Sequence, residues 1–196
     1  MIPLSLAEVR DLAPGRLEGD ADAITGVSEF PNLTEKRIER PEMPEPSTVS
    51  NSDGGLPRRR YAEAFESLRD DADAQGDRPA VFLATLGPVA AHTARATFTA
   101  NLLAAGGIEA INPGVTDDLR AAFDDSGAFV ACLCGTDRDY DERAAEVAAE
   151  LRAAGAAAVL LAGKPRETEG IDGYLYAGCD ALAVLTELHA TLGVKK

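Results

Sequence analysis

The chain has 196 residues, 45% of them hydrophobic, which suits one domain of ordinary size with additional segments. Thirty-three acidic against 19 basic side chains leave a formal charge of −14, and such a surface repels nucleic-acid phosphates and anionic lipid headgroups, so neither is expected as a partner. Aromatic residues make up 5% and Trp is absent, so the core must come from Ala, Val and Leu.

The first 60 residues differ from the rest. "SLAEVRDLAPG" reads as a short helix ended by Pro14-Gly15, and "ITGVSEFPNL" as a strand leading into a turn. "RPEMPEPSTVSNSDGGLPRRR" holds too many prolines and turn formers for any regular element, so residues 37–57 are expected to be extended. "YAEAFESLRDDADAQ" then sets Tyr61, Phe65, Leu68 and Ala72 at helical spacing, with an acidic outer face.

From Pro79 onwards strands and helices alternate. "AVFLATLG" is a continuous apolar run, and residues 91–105 read as a helix with Ala94, Phe98, Leu102 and Ala105 along its inner side. "GIEAINPG" is a second strand. "TDDLRAAFDDSG" is a short helix, with Thr116 as cap and Asp117 and Asp118 complementing its positive end. "AFVACLCG" is the third strand. A long helix follows, placing Val147, Leu151 and Ala154 inward and ending at Gly155. "AAVLLAG" and "GYLYAG" supply two more strands. A closing helix turns Leu182, Leu185, Leu188 and Leu192 to the core.

Strands that are apolar throughout, each followed by a helix, indicate a parallel sheet covered on both faces. The expected fold is α/β, a flavodoxin-like, doubly wound, five-stranded parallel sheet preceded by an extended N-terminal segment. Ligands in such folds sit beyond the carboxyl ends of the strands. The segments to test are therefore 86–91, 112–116, 135–140, 163–169 and 178–180. A magnesium-dependent receiver site fails because Leu86-Gly87-Pro88-Val89 carries no carboxylate, and "GKP" follows the fourth strand rather than the fifth. A dinucleotide fingerprint fails because only Gly87 of the glycine pattern is present. Cys132 and Cys134 share one face of a strand but have no second pair or nearby histidine to complete a metal site, so buried structural thiols are expected. The odd cysteine count, with Cys179 as the third, and no apolar leader ahead of them fit a reducing cytoplasm. His189, near the end of the last helix, is expected at the surface or capping that helix.

The run "RPAVFLATLGPVAAHTARATFTANLLAAGGIEAINPG", with "AFVACLCGTDRDYDERAAEVAAELRAAGAAAVLLAGKP" and "IDGYLYAGCDALAVLTELHATLGV", resembles the C-terminal domain of the small (beta) subunit of bacterial methylmalonyl-CoA mutase. The similarity covers residues 78–194. "ITGVSEFPNLTEK" and "GGLPRRRYAEAFESLRD" resemble the segment that joins the family's N-terminal barrel to this domain. The resemblance divides the chain into a remnant like the end of a (β/α) barrel at 1–36, an extended linker plus amphipathic helix at 37–77, and a cobalamin-binding-like domain at 78–196. A whole barrel needs ~250 residues, more than precede Pro79. A fragment or a truncated product is therefore expected, with residues 1–57 poorly packed and first to be clipped by protease.

The family implies the cobalamin-binding-domain fold. Its catalytic large subunit carries D-x-H-x-x-G after the first strand. There the histidine ligates cobalt, the aspartate orients it and the glycine leaves room for the cofactor's tail. Here the candidate ligand is His92, with Ala90 in the aspartate's place and Arg95 in the glycine's, and His92 lies one position late. "CLCGT" and "AGK" replace the serine-rich and paired-glycine stretches expected after the third and fourth strands. The implied function is that of a non-catalytic small subunit, with no catalytic, metal or cofactor-binding residue of its own beyond the weak candidate His92. In such a heterodimer the large subunit holds adenosylcobalamin and interconverts methylmalonyl-CoA and succinyl-CoA, an isomerase reaction of propionate metabolism. The alternatives are a free-standing corrinoid-binding or carrier domain, or an interaction module on an empty flavodoxin-like fold.

Overall fold

The protein is described here by a computed structural model, over residues 24–35 and 62–195. Expectations for 1–23 and 36–61, the proline-rich linker and Tyr61 among them, lie outside the described residues. Within 24–35 no strand forms. Thr25 and Glu29 make an isolated bridge around a tight turn, and Gly26 N–H donates to Glu29 O at 2.6 Å. "ITGVSEFPNL" is therefore a turn rather than the strand its apolar start suggested. Gly26 has a positive φ, which closes the loop before a strand can extend.

Among the described residues ten elements follow: α1 (Glu63–Asp73), β1 (Ala80–Thr85), α2 (Val89–Ala105), β2 (Glu109–Ile111), α3 (Leu119–Ser126), β3 (Val130–Cys134), α4 (Asp137–Ala153), β4 (Ala158–Ala162), β5 (Gly173–Leu175) and α5 (Ala181–Thr191). The strands form one parallel sheet in the order β2-β1-β3-β4-β5. This is the flavodoxin-like, doubly wound order expected from the alternation of elements. β1, β3 and β4 are central and almost wholly buried, while the edge strands β2 and β5 have three residues each, which limits what another chain could pair with.

Because side chains alternate along a strand, the sheet makes two cores. Val81, Leu83, Cys132, Cys134 and Leu160 join Phe65, Leu103 and Leu185 on one face, under α1, α2 and α5. Phe82, Ala84, Leu133, Val159 and Leu161 join Phe123, Val147 and Leu151 on the other, under α3 and α4. Phe82 and Phe123 meet edge to face with centroids 5.5 Å apart.

The inner face of α2 departs from expectation. His92, Ala96, Thr99, Leu102, Leu103 and Ala105 are buried, whereas Ala94 is exposed and Phe98 only partly covered. The helix is alanine-rich on every side, so hydrophobic spacing alone does not choose its face. α3 is capped by Asp118, whose carboxylate accepts from Ala121 N–H at 2.9 Å, while Thr116 accepts from Asp118 N–H. α1 packs on α5 through the buried Phe65, Leu68 and Ala72 as its pattern indicated. Among the described residues no helix is long and apolar enough to cross a membrane.

Candidate functional site

In this strand order the winding reverses between β1 and β3, so the crevice that such folds offer to ligands opens beyond the carboxyl ends of β1, β3 and β4. Three elements deliver side chains to it. β3 ends at Cys134 and turns through Gly135 into α4, whose entry is held by a reciprocal cap. Thr136 Oγ1 accepts from Asp139 N–H, and Asp139 Oδ2 accepts from Thr136 N–H at 2.7 Å. That cap aims the first turn of α4 so that Tyr140 points back between the ends of β3 and β4. Its phenol accepts from Gly135 N–H at 2.9 Å and donates to Ala162 O at 2.8 Å, with Leu133 O at 3.1 Å as a second acceptor. Tyr140 is buried, and burial pushes its pKa well above the ordinary phenol value, so it stays a neutral donor.

Arg95 reaches across from α2. Its Nη1 donates to Gly135 O at 2.7 Å, its Nη2 to Asp137 Oδ1 at 2.8 Å, and its guanidinium carbon lies 4.9 Å from the Tyr140 ring centroid. Arg166, in the connection after β4, sits 5.6 Å from the same centroid and donates to Asp141 Oδ1 at 2.9 Å. The hydrogen bond from Arg95 holds the Asp137 carboxyl below the usual carboxylate range. Gly163 follows β4 where these groups pass: a Cβ there would lie 3.1 Å from Leu161 Cδ2 and in ordinary contact with the Tyr140 ring at 3.6 Å and Arg95 Nη1 at 3.7 Å.

His92 is not at the mouth of this crevice. It lies in the first turns of α2, 4% exposed, with Nδ1 buried and without a hydrogen-bond partner among the described residues. An imidazole enclosed on the inner face of a helix cannot present a nitrogen to a corrin outside it. The orienting carboxylate is absent too, since Ala90 stands two residues before. The residues present therefore do not fit a corrinoid. Arg95, expected to block the cleft, does lie across it.

His189 corrects its expectation. It is 5% exposed, and its Nε2 lies 2.7 Å from Gly106 O, tying α5 to the end of α2. Cys132 and Cys134 are buried as expected. Cys134 Sγ lies 3.9 Å from Thr99 Oγ1, and the Cys132 thiol is pushed up by its neighbour Cys134 and by burial. No cluster of metal-ligating side chains occurs among the described residues. A groove of about 560 Å³ runs beside the crevice from Thr85 and Gly87 to α3 and α4. It sets the carboxylates of Asp117, Asp118 and Glu150 against Arg120 and Arg143, a mixture that selects no ion. Sequence reasoning passed over Tyr140 and Arg166. The cap motif around Thr136 was the available signal, because it fixes where the fourth residue of α4 must point.

Fold and site together define a doubly wound α/β domain of flavodoxin-like order whose ligand edge is occupied at the ends of β3 and β4 by its own side chains, with a groove beside it at the end of β1. No family model matches the chain. Among curated proteins it is similar to the methylmalonyl-CoA mutase small subunit of Streptomyces virginiae, at 52% identity over 88% of this chain and 28% of that protein. A probable methylmalonyl-CoA mutase small subunit of Mycobacterium tuberculosis is 42% identical over 93% of the chain and 29% of its own length. The small subunit of Propionibacterium freudenreichii is 35% identical over 92% and 29%. These are homologues across most of the chain, and they carry the name of the family whose resemblance the sequence showed. The chain spans under a third of the length of these relatives.

Proposed function

We propose that this chain acts as a non-catalytic small subunit, or as part of one, in an adenosylcobalamin-dependent methylmalonyl-CoA mutase. In this reading a cytoplasmic large subunit holds the cofactor and interconverts methylmalonyl-CoA and succinyl-CoA, an isomerase step of propionate metabolism, and this chain supports it in a heterodimer. The relatives' names support the pairing, since a small subunit implies a larger one. The observation that carries the non-catalytic part is the crevice itself. Arg95 and Tyr140 engage backbone groups at the ends of β3 and β4 that a ligand there would meet, and His92 is enclosed. No residue of the chain is assigned to radical chemistry.

The test is one mixing experiment. After incubation with adenosylcobalamin and desalting, the chain is expected to come through colourless. When co-expressed with a mutase large subunit from a related organism, it is expected to co-purify with that cobalamin-containing chain. Retained corrinoid absorbance that changes in His92→Ala would replace this reading with a free-standing corrinoid-binding or carrier domain. Absence of co-purification would remove the subunit role.

A further inference from the structure

The polar backbone groups at the carboxyl ends of β3 and β4 are those a ligand in this crevice would meet first. One side chain engages three of them: the Tyr140 phenol takes the Gly135 N–H and lies within hydrogen-bond reach of the Leu133 and Ala162 carbonyls. Of the other acceptors at this turn, Gly135 O is held by Arg95 and Cys134 O by the Leu86 N–H. Arg95 comes from the helix after β1, Tyr140 from the helix after β3, and Arg166 from the connection after β4. Their contacts span 25 to 42 positions along the chain. Arg166 is itself anchored, because its carbonyl accepts from the hydroxyl of Tyr174 in β5. Both guanidiniums share the Tyr140 ring, and both approach Asp137: Arg95 Nη2 at 2.8 Å and Arg166 Nη1 at 3.8 Å.

We propose that Arg95, Tyr140 and Arg166 form an internal occupant of the ligand crevice, a lock that joins the segments after β1, β3 and β4 into one unit and orders this edge without a ligand. The inference goes beyond the subunit reading and does not depend on it, since it concerns the chain by itself. Its physical basis is sharing. A cation beside an aromatic face gains most when it is desolvated. Both guanidiniums pack on the buried Tyr140 ring, whereas the Asp137 carboxylate that they both approach is 73% exposed. Removing one uncovers the ring on which the other also packs, so three segments distant in sequence should loosen together. Three independent surface contacts would not behave in this way, because exposed ion pairs act singly and weakly.

Amide hydrogen exchange on the full chain distinguishes the two. In Arg95→Met, segments 86–91, 135–140 and 163–169 are expected to exchange about tenfold faster as a group. The interiors of β1, β3 and β4 should keep their protection. Arg166→Met should give the same pattern, and the double variant little more than either single one, because the first substitution already opens the lock. If Arg95→Met does not fold, Arg95→Lys keeps the charge but loses the planar fork, and should give the same pattern at smaller size. Acceleration confined to the substituted residue's own segment, no acceleration, or effects that multiply in the double variant would each overturn the proposal.

Discussion

His92 and Asp139 show how burial decides what a polar side chain contributes. The His92 imidazole is enclosed with an unpartnered Nδ1, and an unsatisfied buried polar atom costs about 1–3 kcal/mol. His92→Leu, an apolar group of comparable volume, is therefore expected to leave stability unchanged or to raise it, read as the midpoint of chemical denaturation. A loss above about 1 kcal/mol would mean that the ring makes an interaction the structure does not contain. Asp139 behaves oppositely. The Thr136 hydroxyl, followed by the Thr136 N–H, holds its carboxyl below the usual range. A carboxyl depressed in the folded state contributes its full stability above its unfolded value of about 3.9. That contribution falls away as pH drops through the lower folded value. Asp139→Asn is expected to lower the denaturation midpoint near neutrality and to flatten the acid limb below about pH 4, so that the two proteins converge in acid. A parallel acid limb in the variant would show that the cap does not drive it.

Among the elements, the approach of α1 and α5 to the end of α2 is the tightest constraint. Gly107 has a φ of +76°, and a Cβ there would lie 2.7 Å from Ala72 Cβ and 3.1 Å from the Arg69 backbone. A Cβ on its neighbour Gly106 would lie 2.9 Å from Leu185 Cδ2, and the Gly106 carbonyl lies 2.7 Å from His189 Nε2. Gly107→Ala therefore combines left-handed strain with overpacking, and is expected to destabilise by about 2–4 kcal/mol. Gly193 shares the positive φ with open space around it, so Gly193→Ala is expected to cost only about 1 kcal/mol. Equal losses in calorimetry would show that strain alone operates at Gly107. Spacing identified the helices that meet here. It did not identify the inner face of α2, because an alanine-rich helix presents similar surfaces all round.

At the scale of the molecule, the charge, the sheet order and the occupied edge act together. The formal charge of −14 disfavours polyanionic partners. The short edge strands offer little to augment. Beyond the ends of β3 and β4 the ligand edge is occupied from within by residues of α2, α4 and the connection after β4. The outer surface and the groove from Thr85 and Gly87 to α3 and α4 remain open to other molecules. Colour retained after exposure to adenosylcobalamin stands against the subunit reading at this scale, and the Arg95→Met exchange pattern tests the occupied edge separately.

Continuous apolar runs separated by helical ones were enough to establish a parallel, doubly wound sheet, because strands covered on both faces can read in no other way. The missing carboxylate at Ala90 and the cation at Arg95 were legible for the same reason: a site's first requirements are residue types at fixed spacing. Only the tertiary structure decided where Arg95 goes, that Tyr140 and Arg166 meet it, that His189 bonds to Gly106, and that His92 lies inside. These are contacts between segments far apart in sequence, and their geometry is set by how helices dock on the sheet, which local spacing does not encode.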